Sequence, residues 1–549
     1  MKVDTIRRIL NTVQTTIDQL ARSAPDDPQL LRNRAVMFDD FATTYLAAGD
    51  LQDAAASVDQ GLDIFRKLAA QEPNNPQAQR DVSLSLDRLG DVKLRGGDGR
   101  GALAADQESL DIARKLAAQA PGDAQAQRDV GVSVEHLGFV KLQAGDLAGA
   151  LAAYQETLDI ARKLAAQNQG DAQAQRDVSL SLDNLGDVKL RAGDLAGALA
   201  ADRESLDIDR KLAAQDQGNA EVQRDVSVGL VRLGDVKLRA GDRAGALAAY
   251  QESLDVARKL AAQDQGNAQA QRDVFVSLAG LGDVKLRAGD QPGALAAYQE
   301  SLDVARKLAA QDQGDAQAQR DVSVSLSKLG NAKLRGGDLA GALAAYQEDL
   351  DVDRKLAAQL AGNARAQRDV SVDLDKLGDL KLRAGDQAGA LAAYQESLDI
   401  DRKLAAQDQG NAQAQRDVAV DLEKLGDLKL QAGDQAGALA AFQESLNIRR
   451  KLAAQDQGNA QAQRDVSVSL SKLGDVKLRA GDQAGALAAY QVELDIDRKL
   501  AAQDQGNARA QIAVAVRAIR RGRLPPTRWS STSTASLWRR TCWRSATFR

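Results

Sequence analysis

The chain repeats itself every 48 residues, without an insertion, over most of its length. The string Arg-Lys-Leu-Ala-Ala-Gln begins at Arg66 and recurs at Arg114, Arg162, Arg210, Arg258, Arg306, Arg354, Arg402, Arg450 and Arg498. A fixed period of this size marks an array of supersecondary units, each too small to bury its own apolar face, so that neighbours must stack. Weaker copies carry the register back towards the start: Leu20-Ala21 precedes Leu68-Ala69 by one period, and Gly49-Asp50 precedes Gly97-Asp98 by one period. Ten periods occupy residues 24–511. Residues 1–23 read as half a unit, a cap or stub, and residues 512–549 share none of the pattern.

Within a period the residues predict two helices and two turns, as in residues 267–314. Asn267 can accept from a free backbone N–H at a helix start. Val274, Val276, Leu278, Leu281, Val284 and Leu286 then mark a broad apolar face over a segment too long for a strand. Gly289 suits the left-handed position that ends a helix, and Asp290 can cap the next. Pro292 falls in the first turn of that second helix, where its missing N–H costs nothing. The second helix runs through Ala294, Tyr298, Leu302, Val304 and Leu308 to the turn at Gln311–Gly314. A glycine-aspartate break in every period interrupts any heptad seam, which excludes a long coiled coil. The expected fold class is all-α, an α-solenoid superhelix of about ten 48-residue helix-turn-helix repeats.

These residues resemble the tetratricopeptide repeat (TPR) family. Its pattern has Leu-Gly in the first helix, then a small residue and, four further on, an aromatic in the second. Here Leu281-Gly282, Ala294, Tyr298 and Ser301-Leu302 match, and Leu-Gly pairs recur from Leu89 to Leu473. The match departs from the 34-residue form. No proline closes the second helix, the extra residues lengthen both helices, and Lys stands at the late aromatic position from Lys93 to Lys477, with Tyr45 alone keeping the aromatic. It is closer to the long-unit bacterial and kinesin-light-chain-like type. The resemblance implies a concave groove, lined by the first helices, that holds peptide or helix segments of other proteins.

Composition excludes most chemistry. One cysteine and one histidine in 549 residues rule out disulfide frameworks and Cys/His zinc modules, and leave His136 the only imidazole base for a hydrolase. No cofactor or metal is expected, and an enzyme is not. Residues 512–549 carry nine arginines and no Lys, Asp or Glu, so the remaining 511 residues hold 63 basic against 77 acidic groups, a net charge of −14. Such a body repels phosphate backbones, which argues against nucleic acid as a partner. No apolar run reaches membrane-spanning length and no leader is evident, so the expectation is a cytoplasmic protein. The tail reads as a basic arm or a non-native, out-of-frame end.

Positions identical in every unit serve packing, so a particular ligand must be read where units differ. Carried over from the resemblance, the groove includes Asp87, Asp91 and Arg95, then Glu135, Phe139 and Gln143 in the next unit. Phe139 replaces a nearly uniform Asp, Val231 and Ala279 replace the residue at Asp87, and Phe275 replaces Ser. Apolar residues at positions expected to face solvent are anchors for a partner side chain. Asp91 and Arg95, four apart, are expected to form a solvated pair on one helix. The function expected is a non-catalytic scaffold or adaptor. The alternatives are a self-associating array, or the sensor or regulatory region of a larger signalling, protease or NTPase protein.

Overall fold

The computed structural model describes residues 3–503 except 24–26, 169, 361, 409 and 457. Among the described residues there are twenty-one α-helices and no strand. The chain divides into two units, residues 1–337 and 338–549. In the first unit, α1 (Val3–Ser23) precedes the pairs α2 (Pro28–Ala48) and α3 (Leu51–Gln71), α4 (Pro76–Arg95) and α5 (Gly99–Gln119), and α6 (Ala124–Gln143) and α7 (Leu147–Gln167). It continues with α8 (Ala172–Arg191) and α9 (Leu195–Gln215), α10 (Ala220–Arg239) and α11 (Arg243–Gln263), α12 (Ala268–Ala288) and α13 (Gln291–Gln311), then α14 (Ala316–Arg335). The second unit holds α15 (Leu339–Gln359), α16 (Ala364–Arg383) and α17 (Gln387–Gln407), α18 (Ala412–Gln431) and α19 (Gln435–Gln455), and α20 (Ala460–Arg479) and α21 (Gln483–Gln503). Each is a solenoid run in which every helix packs on the next in sequence. The basic segment 512–549 lies outside the described residues.

The turn chemistry read from residues 267–314 is what the chain uses. Asn267 accepts from the Ala270 N–H, Gly289 ends α12 in the left-handed region at φ 86°, and Asp290 accepts from the Gly293 N–H. The apolar faces close on each other: Val274, Leu278, Leu281 and Val284 of α12 pack with Tyr250, Leu254 and Ala257 of α11 and Ala297 of α13. Burying a side chain of that size is worth about 1.5–3 kcal/mol, enough over a pair of helices to outweigh their ordering only when neighbours share the face. The Leu-Gly glycine has its own reason. A Cβ at Gly282 would stand 2.3 Å from Cε1 of Tyr298, so this glycine lets the ring lie flat on α12.

Adjacent pairs are also joined by charge. The arginine of the repeated string reaches the next second helix, as in Arg66 Nη2 to Glu108 at 2.8 Å, Arg114 to Glu156 at 2.6 Å and Arg402 to Glu444 at 2.6 Å. Near the start of several first helices another arginine reaches the following first helix: Arg80 Nε to Asp129 at 2.6 Å, Arg224 to Asp273 at 2.8 Å, Arg272 to Asp321 at 2.8 Å. Between these ladders runs a row of buried serines, with Ser83, Ser109 and Ser133 linked hydroxyl to hydroxyl at 2.8 and 3.0 Å. Small side chains there let three helices approach closely while their polar atoms stay bonded.

Candidate partner-binding groove

At 100° per residue, positions 84, 88, 91 and 95 of α4 fall within about 60° of one another and form one face. The same face recurs on each first helix and carries rows. The first row is apolar and exposed: Leu84, Val132, Leu180, Val276 and Val324 in the first unit, Val372 and Val468 in the second. From position 88 on, the second row is cationic except at Asn184 and Gly280. Its members reach back to the preceding first helix, as Arg232 does to Asp187 at 2.9 Å, Lys328 to Asp283 at 2.7 Å and Lys472 to Asp427 at 2.6 Å. Lysines of this row also stand over the ring beneath, Lys328 5.9 Å from the centre of Tyr298 and Lys424 5.3 Å from Tyr394. Tyr298 in turn donates to Asp283 at 2.6 Å.

Four of the groove residues expected from sequence meet at one place. Asp91, Arg95, Phe139 and Gln143 line a cleft of about 520 Å³ with Leu94, Gly97, Gly99, Val140 and Ala144. Phe139 is 43 % exposed at its edge, one of the most open large apolar side chains in the chain. Glycine 99 helps to open the cleft, because Leu, Arg or Gln occupies its place in later units. Asp91 does not pair with Arg95 as expected; its Oδ1 lies 3.7 Å from His136 Nδ1 of the next first helix.

Three of the other positions require correction. Phe275, at 6 % exposure, and Ala279, at 8 %, are core residues and offer nothing to a partner. Phe275 points into the seam where serine is usual, and Ser301 of α13 donates to its carbonyl at 3.3 Å. Asp87, 4 % exposed, is also buried. It lies about 80° around the helix from Arg95, turned into the joint with α6, where Ser133 donates to its Oδ2 at 3.4 Å. Val231 is half-buried and packs against the core around Tyr250 and Leu278. Glu135, also half-buried, accepts from Asn184 at 2.8 Å. The exposed apolar row at Leu84 and its equivalents does not stand out in the sequence, because its spacing is that of core residues and the serines beside it, such as Ser83 and Ser85, are themselves buried.

Beneath the cleft the packing changes character. Where α7, α11 and α13 place Tyr154, Tyr250 and Tyr298, α5 and α9 place Asp106 and Asp202, which are 1 % and 2 % exposed. Burial raises both carboxyls to about 7 against the opposing pull of His136 and Arg232 respectively. Burial similarly raises Asp87 to about 6. Desolvation would lower His136, but its pairing with Asp91 and the charges of Asp87, Asp91 and Asp106 prevail and raise it to about 9.

One buried trio could hold a cation by ligand type. Asp349, Asp353 and Asp373 bring carboxylate oxygens within 4.8 Å of one another. Lys376 Nζ, 2.9 Å from Asp373 Oδ1, already supplies positive charge there. Among the described residues no helix is long and apolar enough to cross a membrane.

No protein-family model matches the chain, and no curated protein matches it. Solved structures do align. BtubC (BKLC) from P. vanneervenii is 22% identical over 52% of this chain and 95% of its own, with a TM-score of 0.37. The apo form of RapI is 11% identical over 76% of this chain and 98% of its own, with a TM-score of 0.43. Yeast Tom70 is 12% identical over 94% of this chain and 97% of its own, with a TM-score of 0.37.

Proposed function

We propose that this chain is a non-catalytic, TPR-type scaffold that binds peptide or helix segments of other proteins along its first-helix face, with the Phe139 cleft as an anchoring point. The observation that carries the reading is the exposed ring of Phe139 in a cleft, at a position where the other units keep a polar Asp, Asn or Thr. An apolar side chain held open on a rigid helix, with charged residues around it, is the usual form of an interface hot spot. The exposed row from Leu84 to Val324 extends that anchor along the first unit, so a partner can gain affinity from several modest contacts. Near-copies of one surface suit extended binding better than catalysis, which needs a single asymmetric pocket. Acidic charge and a single cysteine suit a cytoplasmic adaptor.

The test is affinity capture from the native cell with the full chain and with Phe139→Asp, which restores the usual residue. Loss of a specific protein from the variant supports the reading. Equal recovery of every captured protein by both chains would remove Phe139 from the site.

A further inference from the structure

Two joints between neighbouring pairs are built alike. At each, an Asp replaces the buried tyrosine of the second helix, and a cation from the next first helix answers it. In the joint of α8, α9 and α10 that cation is Arg232, whose Nε lies 3.3 Å from Asp183 and whose Nη2 lies 2.9 Å from Asp187. In the joint of α4, α5 and α6 it is His136. Arginine holds its charge at every relevant pH, whereas imidazole does not. The second joint is therefore the titratable version of the first, and its Asp91 is part of the Phe139 cleft wall.

Asp106 is what makes that joint unstable to proton loss. Neither of its oxygens has a hydrogen-bond partner, and its Oδ1 lies where a Cβ on Gly90 would be, 1.9 Å from that point, between Asp87 and Asp91 on α4. A buried carboxylate without a donor is costly, so the neutral acid is favoured until a cation compensates it. The groups facing His136 are Asp87 and Asp91 from α4 and Asp106 from α5. On its own helix Glu135 is adjacent; Asn184 of α8 donates to Glu135, and the phenol of Tyr154 on α7 feels Glu135's charge. One imidazolium thus serves three carboxyl groups.

We propose, resting on the groove reading above, that Asp106 and His136 form a proton-operated latch that sets the charge presented by the Phe139 cleft. With Asp106 protonated, the imidazolium belongs to Asp91, and the cleft presents Phe139 and the Arg95 guanidinium beside a neutralised wall. When Asp106 gives its proton to water, its carboxylate competes for the same imidazolium. Asp91 is then released as a free negative charge next to Phe139. The cleft favours an apolar segment with acidic neighbours in the first state and loses that preference in the second.

His136 is the only histidine, so its ring is a single resolved probe in the full chain labelled with 13C-histidine. Beside the step that Asp87 gives near pH 6, which the Asp106 variants retain, the latch predicts two steps in its titration, a lower one near pH 7 that follows Asp106 and one near pH 9 for the ring itself. Asp106→Asn removes the lower step, as does Asp106→Tyr, which restores the residue of most other units, while Asp202→Asn leaves both steps in place. 4-Fluorophenylalanine at position 139 reports the lower step in its 19F shift. A single step near pH 6.5, a lower step that survives both Asp106 variants, or a fluorine shift flat through neutral pH would overturn the latch. These readouts involve no partner, so their failure leaves the groove reading intact, and failure of the capture experiment leaves the latch intact.

Discussion

Gly282 of α12 lies directly beneath the ring of Tyr298 of α13, so close that any Cβ there would stand 2.3 Å from the ring carbon. The Leu-Gly signature is a packing device of this kind. Gly282→Ala therefore costs about 1–3 kcal/mol by overpacking, although alanine is worth about 1 kcal/mol more than glycine in an open helix. Gly99→Ala, where nothing lies within 4 Å of the new Cβ, is the control and is neutral or stabilising. Hydrogen-exchange protection of the helix pair that holds each substitution, α12 and α13 for Gly282 and α4 and α5 for Gly99, is the suitable readout, since long arrays do not unfold in one step. Equal effects of the two substitutions would contradict the packing argument.

The two charge ladders differ in worth. Asp321, which Arg272 reaches at 2.8 Å, is buried, whereas Arg258 and Glu300 are both about half exposed. Arg272→Ala is expected to cost about 2–4 kcal/mol, because it strands a buried carboxylate. Arg258→Ala is expected to cost less than about 1 kcal/mol. Local exchange rates in α12–α14 separate the two, and a larger loss from Arg258→Ala would reverse the assignment.

Buried carboxyls give the array an unusual pH dependence. Burial raises Asp39, Asp209 and Asp401 to about 6, Asp106 and Asp202 to about 7, and Asp421 to about 9. Folding thus favours the protonated acid. The stability this contributes is complete below the ordinary carboxyl range near 4 and is lost as pH rises through 6 to 9. His136, also raised, adds stability below about 6.5 that is lost towards pH 9. Thermal unfolding should begin roughly 5–10 °C lower at pH 8.5 than at pH 5. A melting temperature that is level or rises over that interval would refute this.

Phe139 and Phe275 separate surface from core. Phe275→Ser removes a ring that is 6 % exposed and is expected to cost about 3–4 kcal/mol with no direct effect on binding. Phe139→Asp should leave stability within about 0.5 kcal/mol and abolish partner binding. Calorimetry beside the capture experiment distinguishes them.

Those two residues also mark how far the sequence could be read. Asn267, Gly289, Asp290 and Pro292 are local signals, and each does in the structure what its chemistry requires. The pairing of Leu-Gly with a later tyrosine was legible because it recurs in phase. Burial at Phe275, Ala279 and Asp87 was not, because it depends on a third helix, that of the next unit, closing over positions that a single pair would leave open. Asp87, Asp91 and Arg95 are four apart, yet a helix turns by 40° over each such step, and by Asp87 the surface has rotated into the joint. The partners of Arg66 and Arg80, 42 and 49 residues away, are likewise set by stacking alone.

As a scaffold, this chain would hold a partner protein on the first-helix face around α4–α8. A photocrosslinking scan in the native cell tests it most directly, with the reactive residue placed in turn at Arg95, Phe139 and Leu180 on that face, and at Gln107 and Asp111 on the exposed side of α5. One and the same protein is expected at the first three positions and at neither of the last two. Adducts of equal yield from both faces, or adducts only with a second copy of this chain, would contradict it.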